Sequence, residues 1–188
     1  MRQYVATQIK SKAGLKKAYA NSSSEIRDYF PHIPELLENF PMEVCLAYVF
    51  YRLELGQNMA LYTGVVRIHR VEASLARSAV SIQHLTREHF DELYQKIFSI
   101  KVPKTAKLDL EGAQKTRDRI MHGKRESDDQ VRNAIARVLE YAEEINSQLD
   151  EKHKLKPFGY LKGFAGRGRK LDKQTSRFVL KGIGFGIA

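Results

Sequence analysis

The apolar residues between Met42 and Leu149 recur every three or four positions, and no other feature constrains the fold as strongly. This period places apolar side chains on one face of an α-helix, because successive helical residues project roughly 100° apart. Half-buried strands alternate apolar and polar residues instead, and no such run occurs before residue 155. The sequence therefore predicts an all-α fold, an up-and-down helical bundle.

Two helices are expected in the first half of this region. The nearly continuous apolar run over residues 42–55 predicts a buried helix, and Gly56 is placed to end it. The apolar stripe over residues 61–82 predicts one long amphipathic helix. Its other side carries three arginines, which are either surface ion-pair partners or a stripe that follows phosphates: Arg67, Arg70 and Arg77.

Three further helices are expected in the second half. A short helix is predicted around residues 86–98, and another over residues 110–121 that Gly123 terminates. The clearest start signal follows, because Ser127 with Gln130 three residues later forms a capping box. The apolar stripe behind this box continues for roughly five turns, which predicts a long last helix of the bundle.

The net charge of +10 is concentrated at the two ends of the chain. Residues 1–24 contain five Lys or Arg and no acid, and residues 152–188 contain ten Lys or Arg and a single acid, Asp172. The region between them has 17 basic and 21 acidic residues. Basic ends suit a polyanion such as RNA, because Lys and Arg release the cations condensed on nucleic acid. Solvated tails and an anionic membrane surface are the alternatives.

The composition divides the chain into three segments. Residues 1–40 are a basic N-terminal arm with a short helical lead-in, residues 41–153 are the helical bundle, and residues 154–188 are a Gly-rich basic C-terminal extension. Glycine lets a backbone approach phosphate, arginine offers it a planar fork, and aromatic rings stack on unpaired bases. The extension is therefore a candidate RNA contact, unless it is a docked structural element with incidental charge. Its candidate nucleic-acid-binding residues are Arg167, Arg169 and Lys170.

The sequence predicts no metal site and no cofactor. The single cysteine, Cys45, lies in an apolar run, so neither a disulfide framework nor a thiolate zinc cluster can form within one chain. His84 and His89 are five residues apart, whereas two ligands on one helical face are four apart. The N-terminus has no apolar signal core, and no stretch approaches the ~18 apolar residues of a membrane span. We therefore expect a cytoplasmic protein with no membrane partner.

The segment over residues 116–124 contains the most specific signal. Arg117 continues the apolar register of its helix, where an unpaired cation would be costly. An arginine in such a position pairs with a buried carboxylate or serves a site. His122 closes the same helix, and Asp118 lies four residues before it, close enough to orient the imidazole through a hydrogen bond. The spacing alone also fits a structural arginine followed by a capping histidine.

A helix that ends in Arg, a polar residue, three others and His, followed by Gly and an amphipathic helix, resembles the HEPN superfamily (higher eukaryotes and prokaryotes nucleotide-binding). The matched residues are Arg117, Asp118 and His122, and the resemblance covers roughly residues 42–150. It implies a HEPN-like bundle with a metal-independent ribonuclease site, commonly completed across a homodimer. It also implies a toxin or phage-defence effector with an antitoxin or regulatory partner. Some members carry a Tyr two residues after the His that an antitoxin modifies, and Lys124 stands at that position here.

The chemistry of the pair suits RNA cleavage by the substrate's own 2′-hydroxyl. The reaction needs a group that removes the 2′ proton, a group that protonates the leaving 5′-oxygen and a cation beside the phosphorane. Histidine performs either proton transfer, and an arginine fork suits the phosphorane oxygens. A single His122 can hardly fill both roles at once, which favours a homodimer. Lys124 and Arg125 are candidate nucleic-acid-binding residues beside it.

Two other functions fit the same sequence. A non-catalytic RNA-binding or ribosome-associated helical module would use Arg117 as a structural ion-pair partner and would bind RNA without His122. A protein-interaction bundle would dock its basic extension on an acidic partner. The leading expectation is a metal-independent endoribonuclease of the HEPN type.

Overall fold

A computed structural model of the protein describes residues 8–83, 85–161, 163 and 168–187. Within these ranges the chain forms helices and no strands, which confirms the all-α prediction. The helices are α1 Lys12–Ala20, α2 Ser24–Tyr29, α3 Ile33–Asn39, α4 Met42–Arg67, α5 Ala73–Ser81, α6 Arg87–Phe98, α7 Lys104–Met121, α8 Asp128–His153 and α9 Lys173–Ile183. None of the helices described is both long and apolar enough to cross a membrane.

The bundle is built around two 26-residue helices, α4 and α8, with α7 packed along α8. Helix α8 begins where the capping box predicts, because the Ser127 hydroxyl accepts from the Gln130 amide and the Gln130 side chain accepts from the Ser127 amide. Its apolar stripe is buried from Val131 to Leu149. This burial against α4 and α7 stabilises the helix, since intrinsic propensity contributes little by comparison.

Helix α4 continues through Gly56, so the prediction that this glycine ends a helix is wrong. A Cβ at Gly56 would overlap the ring of Phe158, which comes from the C-terminal extension and is completely buried. Asn146 on α8 holds the Phe158 backbone: its Nδ2 donates to the carbonyl at 2.8 Å, and its Oδ1 accepts from the N–H at 2.9 Å. The glycine is therefore needed for side-chain packing rather than for helix termination.

The long helix predicted over residues 61–82 is interrupted. Helix α4 ends at Arg67 and α5 begins at Ala73, and between them Arg70 adopts a left-handed backbone conformation with φ 59°. Val71 is completely buried, so the apolar spacing continues across the turn without a continuous helix. The three arginines of the predicted stripe therefore do not share one helix face.

The N-terminal residues add three short helices to one side of the bundle. Helix α1 contacts α8 and α3, and its Leu15 is completely buried. The Ile9 N–H donates to Asn133 Oδ1 at 2.9 Å, and the Ser23 hydroxyl donates to Glu143 Oε2 at 3.0 Å. The described part of the basic arm thus packs on the bundle.

The C-terminal extension ends in a docked helix. Helix α9 packs against α5 and α6 with Leu180 and Ile183 buried. Asp172 caps its first turn, and the buried Ser176 hydroxyl accepts from the Glu72 N–H at 3.0 Å. This part of the C-terminal extension is therefore docked on the bundle, which was one of the two alternatives expected for it.

Candidate functional site

The candidate site lies at the C-terminal end of α7, and the packing of this helix sets its position. Ala106, Leu110 and Ala113 are buried on α7, which packs mainly against α8. The helix ends at Met121, and Gly123 adopts the left-handed conformation with φ 72° that residues with a Cβ rarely take. The helix ends before this glycine, and His122, Lys124 and Arg125 around it are exposed to solvent.

Arg117 lies at the edge of the core rather than inside it. Its Cζ atom is 5.0 Å from the centre of the Phe50 ring on α4. Its Nη2 donates to Glu54 Oε1 at 3.3 Å, and its Nη1 donates to Asp118 Oδ1 at 2.9 Å. The side chain remains 32% exposed. Two helices therefore hold the guanidinium in one orientation while part of it stays open to solvent.

Asp118 contacts Arg117 instead of His122. Its carboxylate accepts from the guanidinium, and among the residues that the structure describes the His122 ring makes no hydrogen bond. The expected contact between Asp118 and the imidazole is therefore not formed. A guanidinium is the stronger partner for a carboxylate because it is permanently charged and presents several donors in one plane.

His122 is the C-cap residue of α7 and is exposed. Its backbone N–H donates to the Asp118 carbonyl at 3.0 Å, which fixes the residue at the helix end. Lys124 and Arg125 are exposed just beyond it, and neither forms an ion pair within the described ranges. The imidazole therefore stands in an open, cationic stretch of surface.

A shallow cavity of about 370 Å³ opens beside Arg117, between α7 and the start of α6. Its lining residues are Glu88, Glu111, Gln114, Lys115, Arg117 and Asp118. Three carboxylates against two cations make this cavity unfavourable for an anion.

Lys170 has a structural contact at the end of α4. Its Nζ donates to the Val66 carbonyl at 2.9 Å, and this satisfies a helix-terminal acceptor that lacks a partner within the helix. Burial lowers the pKa of the Lys170 amine, and the charge of Arg70 acts in the same direction. Arg169 beside it is exposed, and Arg167 lies outside the described residues.

The candidate RNA-binding residues thus fall at two separate places. Lys124 and Arg125 follow α7, whose Arg117 contacts α4 at Glu54, whereas the 169–170 segment contacts α4 at Val66. These two contact points are about 18 Å apart along α4, at about 1.5 Å per residue. The sequence alone could not separate the two groups, because it did not reveal which end of α4 each would meet.

Sequence reasoning missed the residues that hold Arg117. Phe50 and Glu54 come from another helix, and Glu54 is separated from Arg117 by 63 positions in the chain. No local pattern indicates such a contact. It also missed the exposed face of α9, although the spacing of Lys173, Arg177 and Lys181 at every fourth position is a signal that could have revealed it.

Cys45 and Asp109 are buried ionisable groups outside the candidate site. Burial raises the pKa of the Cys45 thiol to about 12. Burial also raises the pKa of Asp109 on α7 to about 6, with Glu144 acting in the same direction and Arg137 opposing it. No group of three or more His, Cys, Asp or Glu among the described residues could hold a metal ion.

Comparisons with protein-family models, curated proteins and solved structures found no match. The fold therefore defines the class of protein only as an all-α bundle with a docked C-terminal helix. Any function has to be argued from the α7 site and its chemistry.

Proposed function

We propose that this chain is a metal-independent endoribonuclease of the HEPN type, with Arg117 and His122 as its reacting residues. The observation that supports the proposal is the state of Arg117, which two helices hold in place while its outer part faces solvent. A cation that is oriented before the substrate arrives stabilises a phosphorane with little reorganisation. The exposed imidazole of His122 supplies the group that exchanges protons.

The reaction has a definite assignment of bonds and protons. The 2′-oxygen attacks the adjacent phosphorus while neutral His122 accepts the 2′ proton. The bond from phosphorus to the 5′-oxygen breaks, and the leaving oxygen receives a proton from a second acid. The products are a 2′,3′-cyclic phosphate and a 5′-hydroxyl, and Arg117 neutralises the charge on the phosphorane oxygens.

A second copy of the chain would supply the missing acid. Arg117 and His122 are five residues apart, which places them roughly 140° apart around a helix. One copy therefore presents its guanidinium and its imidazole in different directions. A homodimer that brings two α7 ends together would offer one His122 as the base and the other as the acid.

The exposed face of α4 supports such a homodimer. It carries apolar residues that are 38–60% exposed and spaced seven, four and four positions apart, namely Val44, Tyr51, Leu55 and Met59. Glu54, the partner of Arg117, lies beside them on the same helix. Water-exposed apolar stripes of this kind are typical of surfaces that another chain covers. A homodimer through this face would bring the α7 ends of both copies to one interface.

The test is RNA cleavage in EDTA, with several RNA pools because a selective nuclease ignores many RNAs. We expect wild-type protein to leave 2′,3′-cyclic phosphate ends and to spare DNA. We expect Arg117→Ala and His122→Ala to lose this activity. The controls are His32→Ala, at an exposed position, and Arg119→Lys, which keeps the ion pair that Arg119 forms with the nearly buried Glu126 carboxylate. Cleavage by His122→Ala at the wild-type rate would exclude the proposed mechanism.

An activity of this kind fits a toxin or phage-defence effector restrained by an antitoxin or regulatory protein. Such a role predicts that expression of the wild-type chain slows bacterial growth, while expression of His122→Ala does not. Equal growth of the two strains at equal protein levels would remove this part of the proposal without affecting the cleavage test.

The second candidate function is a non-catalytic RNA-binding or ribosome-associated module. It is favoured by the pairing of Arg117 with two carboxylates, an arrangement that a structural arginine also adopts. Under this alternative His122→Ala binds RNA as wild type does, and neither protein cleaves it. Measuring cleavage and RNA affinity on the same preparations separates the two functions.

A further inference from the structure

The outward face of α9 has an unusual composition for a docked helix. Phe178, near the middle of this face, is 79% exposed, while Leu180 and Ile183 on the opposite side are buried against α5 and α6. We refer to the outward residues Lys173, Gln174, Arg177, Phe178 and Lys181 as the α9 surface. An exposed phenylalanine does not stabilise the packing of this helix, so its position calls for another explanation.

Three cations follow one side of the Phe178 ring. Lys173, Arg177 and Lys181 are spaced at every fourth position, so they form a stripe along α9. Neither Arg177 nor Lys181 has an ion-pair partner in the described part of the chain. No carboxylate among the described residues neutralises their charges, whereas Glu54 and Asp118 both pair with the guanidinium of Arg117.

Space beside the ring is open as well. Gly182 lies one turn after Phe178, and a Cβ built at this glycine would meet no atom within 4 Å. A flat ligand can therefore approach the ring without displacing a neighbouring side chain. A stripe of cations beside an uncovered aromatic ring combines the two contacts that single-stranded nucleic acids use, phosphate neutralisation and base stacking.

We propose that the α9 surface binds single-stranded RNA, with a base stacked on Phe178 and phosphates along Lys173, Arg177 and Lys181. This inference rests on the proposed function only in taking RNA as the ligand. A lipid surface fits less well, because membrane-bound helices insert a broad apolar face, and the apolar face of α9 is buried in the bundle. Phe178 alone remains outside.

The position of α9 also defines what kind of RNA the protein takes. Helix α9 docks beside Glu72, just beyond the C-terminal end of α4, whereas Arg117 contacts α4 at Glu54. The N-terminal end of α9, where Lys173 lies, is thus about 18 Å from the Arg117 contact along α4. An RNA that reaches from Lys173 to Arg117 within one copy has to be a single strand of several nucleotides, so dinucleotides should be poor ligands.

The chain contains no tryptophan, which permits a direct test. Phe178→Trp places a single fluorophore on the α9 surface and keeps an aromatic ring there. The probe is a single-stranded 2′-O-methyl oligoribonucleotide of about 16 nucleotides, which spans several contacts and cannot undergo 2′-hydroxyl attack. Leu108→Trp is the matched control, because Leu108 is an exposed apolar residue on α7.

We expect the oligonucleotide to quench Phe178→Trp fluorescence over the same concentration range in which its own anisotropy rises, and to leave Leu108→Trp unchanged. Phe178→Leu should bind about ten-fold more weakly, whereas Phe178→Trp should bind as wild type does. Binding without quenching, and with full affinity in Phe178→Leu, would overturn the α9 surface but not the ribonuclease. Quenching by anionic phospholipid vesicles but not by RNA would overturn it in favour of a membrane contact.

The cationic stripe is tested by salt dependence. Replacing Arg177 and Lys181 together by Gln should reduce the slope of log affinity against log salt by about 1.4, since each phosphate contact on a single strand contributes about 0.7. The control with the same change in net charge replaces the exposed Lys12 and Lys17 on α1 by Gln. An equal reduction in both proteins would mean that net charge alone is responsible, and the α9 surface would be rejected.

RNA cleavage and RNA capture can fail independently in these experiments. Cleavage that depends on His122 but not on Phe178 removes the α9 inference alone. Quenching of Phe178→Trp fluorescence without any RNA cleavage excludes the ribonuclease proposal and favours an RNA-binding module. No binding and no cleavage would remove both.

Discussion

The end of α7 and the α9 surface are both basic and exposed, but they hold their arginines differently. Glu54 and Asp118 bind the guanidinium of Arg117, and it lies over the Phe50 ring. Arg177 has no ion-pair partner within the described residues and projects from the outer side of a docked helix. One region holds a single cation between two carboxylates, and the other presents cations that have no ion-pair partner within the described residues.

This difference indicates two tasks for positive charge. A cation that stabilises a transition state has to be oriented in advance, because reorganisation during the reaction raises the barrier. Cations that capture a polyanion need only be near the phosphates, and flexible side chains suffice. We therefore expect geometry to matter at the α7 end and charge to matter on α9.

The largest expected effect comes from changing geometry without changing charge. Arg117→Lys removes the planar fork but keeps the charge, and we expect RNA cleavage to fall about 10²-fold or more. Arg177→Lys makes the same change on α9, and we expect less than about a three-fold change in RNA affinity. Cleavage rates and anisotropy titrations measure the two effects. Similar losses in both variants would remove the distinction between the two regions.

Much of the fold was predictable because the governing signals are local. The capping box at Ser127 and the glycine at position 123 are short patterns, and α7 and α8 end or begin there. The error at Gly56 had a tertiary cause, since the Phe158 ring that requires this glycine comes from about one hundred residues later. A glycine that ends a helix and a glycine that admits a ring look alike in sequence.

The candidate site was predictable only in part, for a similar reason. The motif located Arg117 and His122 at a helix end, and the helix indeed ends there. The charged partner of Arg117 on α4 could not be read from local spacing, and Asp118 was assigned to the wrong neighbour. Side chains at a helix end have several acceptors within reach, and packing of a distant helix decides among them.

The buried carboxylate of Asp109 gives the next largest effect. Its pKa is raised by burial from about 4 to about 6, so the folded protein holds a proton there that the unfolded chain has lost. Stability therefore falls as the pH rises from about 4 to about 6. We expect Asp109→Asn to increase the free energy of unfolding by about 2 kcal/mol at pH 7 and to change it little at pH 4.

Urea unfolding at the two pH values measures this effect. The substitution keeps the side-chain volume, and Asp109 Oδ2 has no hydrogen-bond partner in the described part of the chain. Equal effects at both pH values would show that ionisation of Asp109 is not responsible. If Asp109→Asn raises the free energy of unfolding at pH 7 and leaves RNA cleavage unchanged, the α7 site does not require an ionised carboxylate at position 109. A loss of cleavage would instead link Asp109 to that site.

A smaller effect is expected at the junction that docks α9. The buried Ser176 hydroxyl accepts from the Glu72 N–H, so Ser176→Ala leaves that amide without its partner. We expect a loss of about 1–2 kcal/mol in the free energy of unfolding. Ser81→Ala, at an exposed position, should change it by less than about 0.5 kcal/mol. If α9 carries the RNA contact, weaker docking should lower RNA affinity, and the cleavage rate at saturating RNA should not change.

The smallest effect is also the most informative about the α7 site. Glu54 is exposed, so its ion pair with Arg117 contributes less than about 1 kcal/mol. Glu54→Gln keeps an acceptor but removes the charge, so Asp118 is left as the ion-pair partner of Arg117 and α4 holds the guanidinium less firmly. We expect cleavage to fall about two- to five-fold while RNA affinity rises slightly, because orientation is lost and a repulsive carboxylate is removed. A faster cleavage rate would mean that Glu54 competes with phosphate for the guanidinium. It would contradict the expectation that holding Arg117 in one orientation favours cleavage.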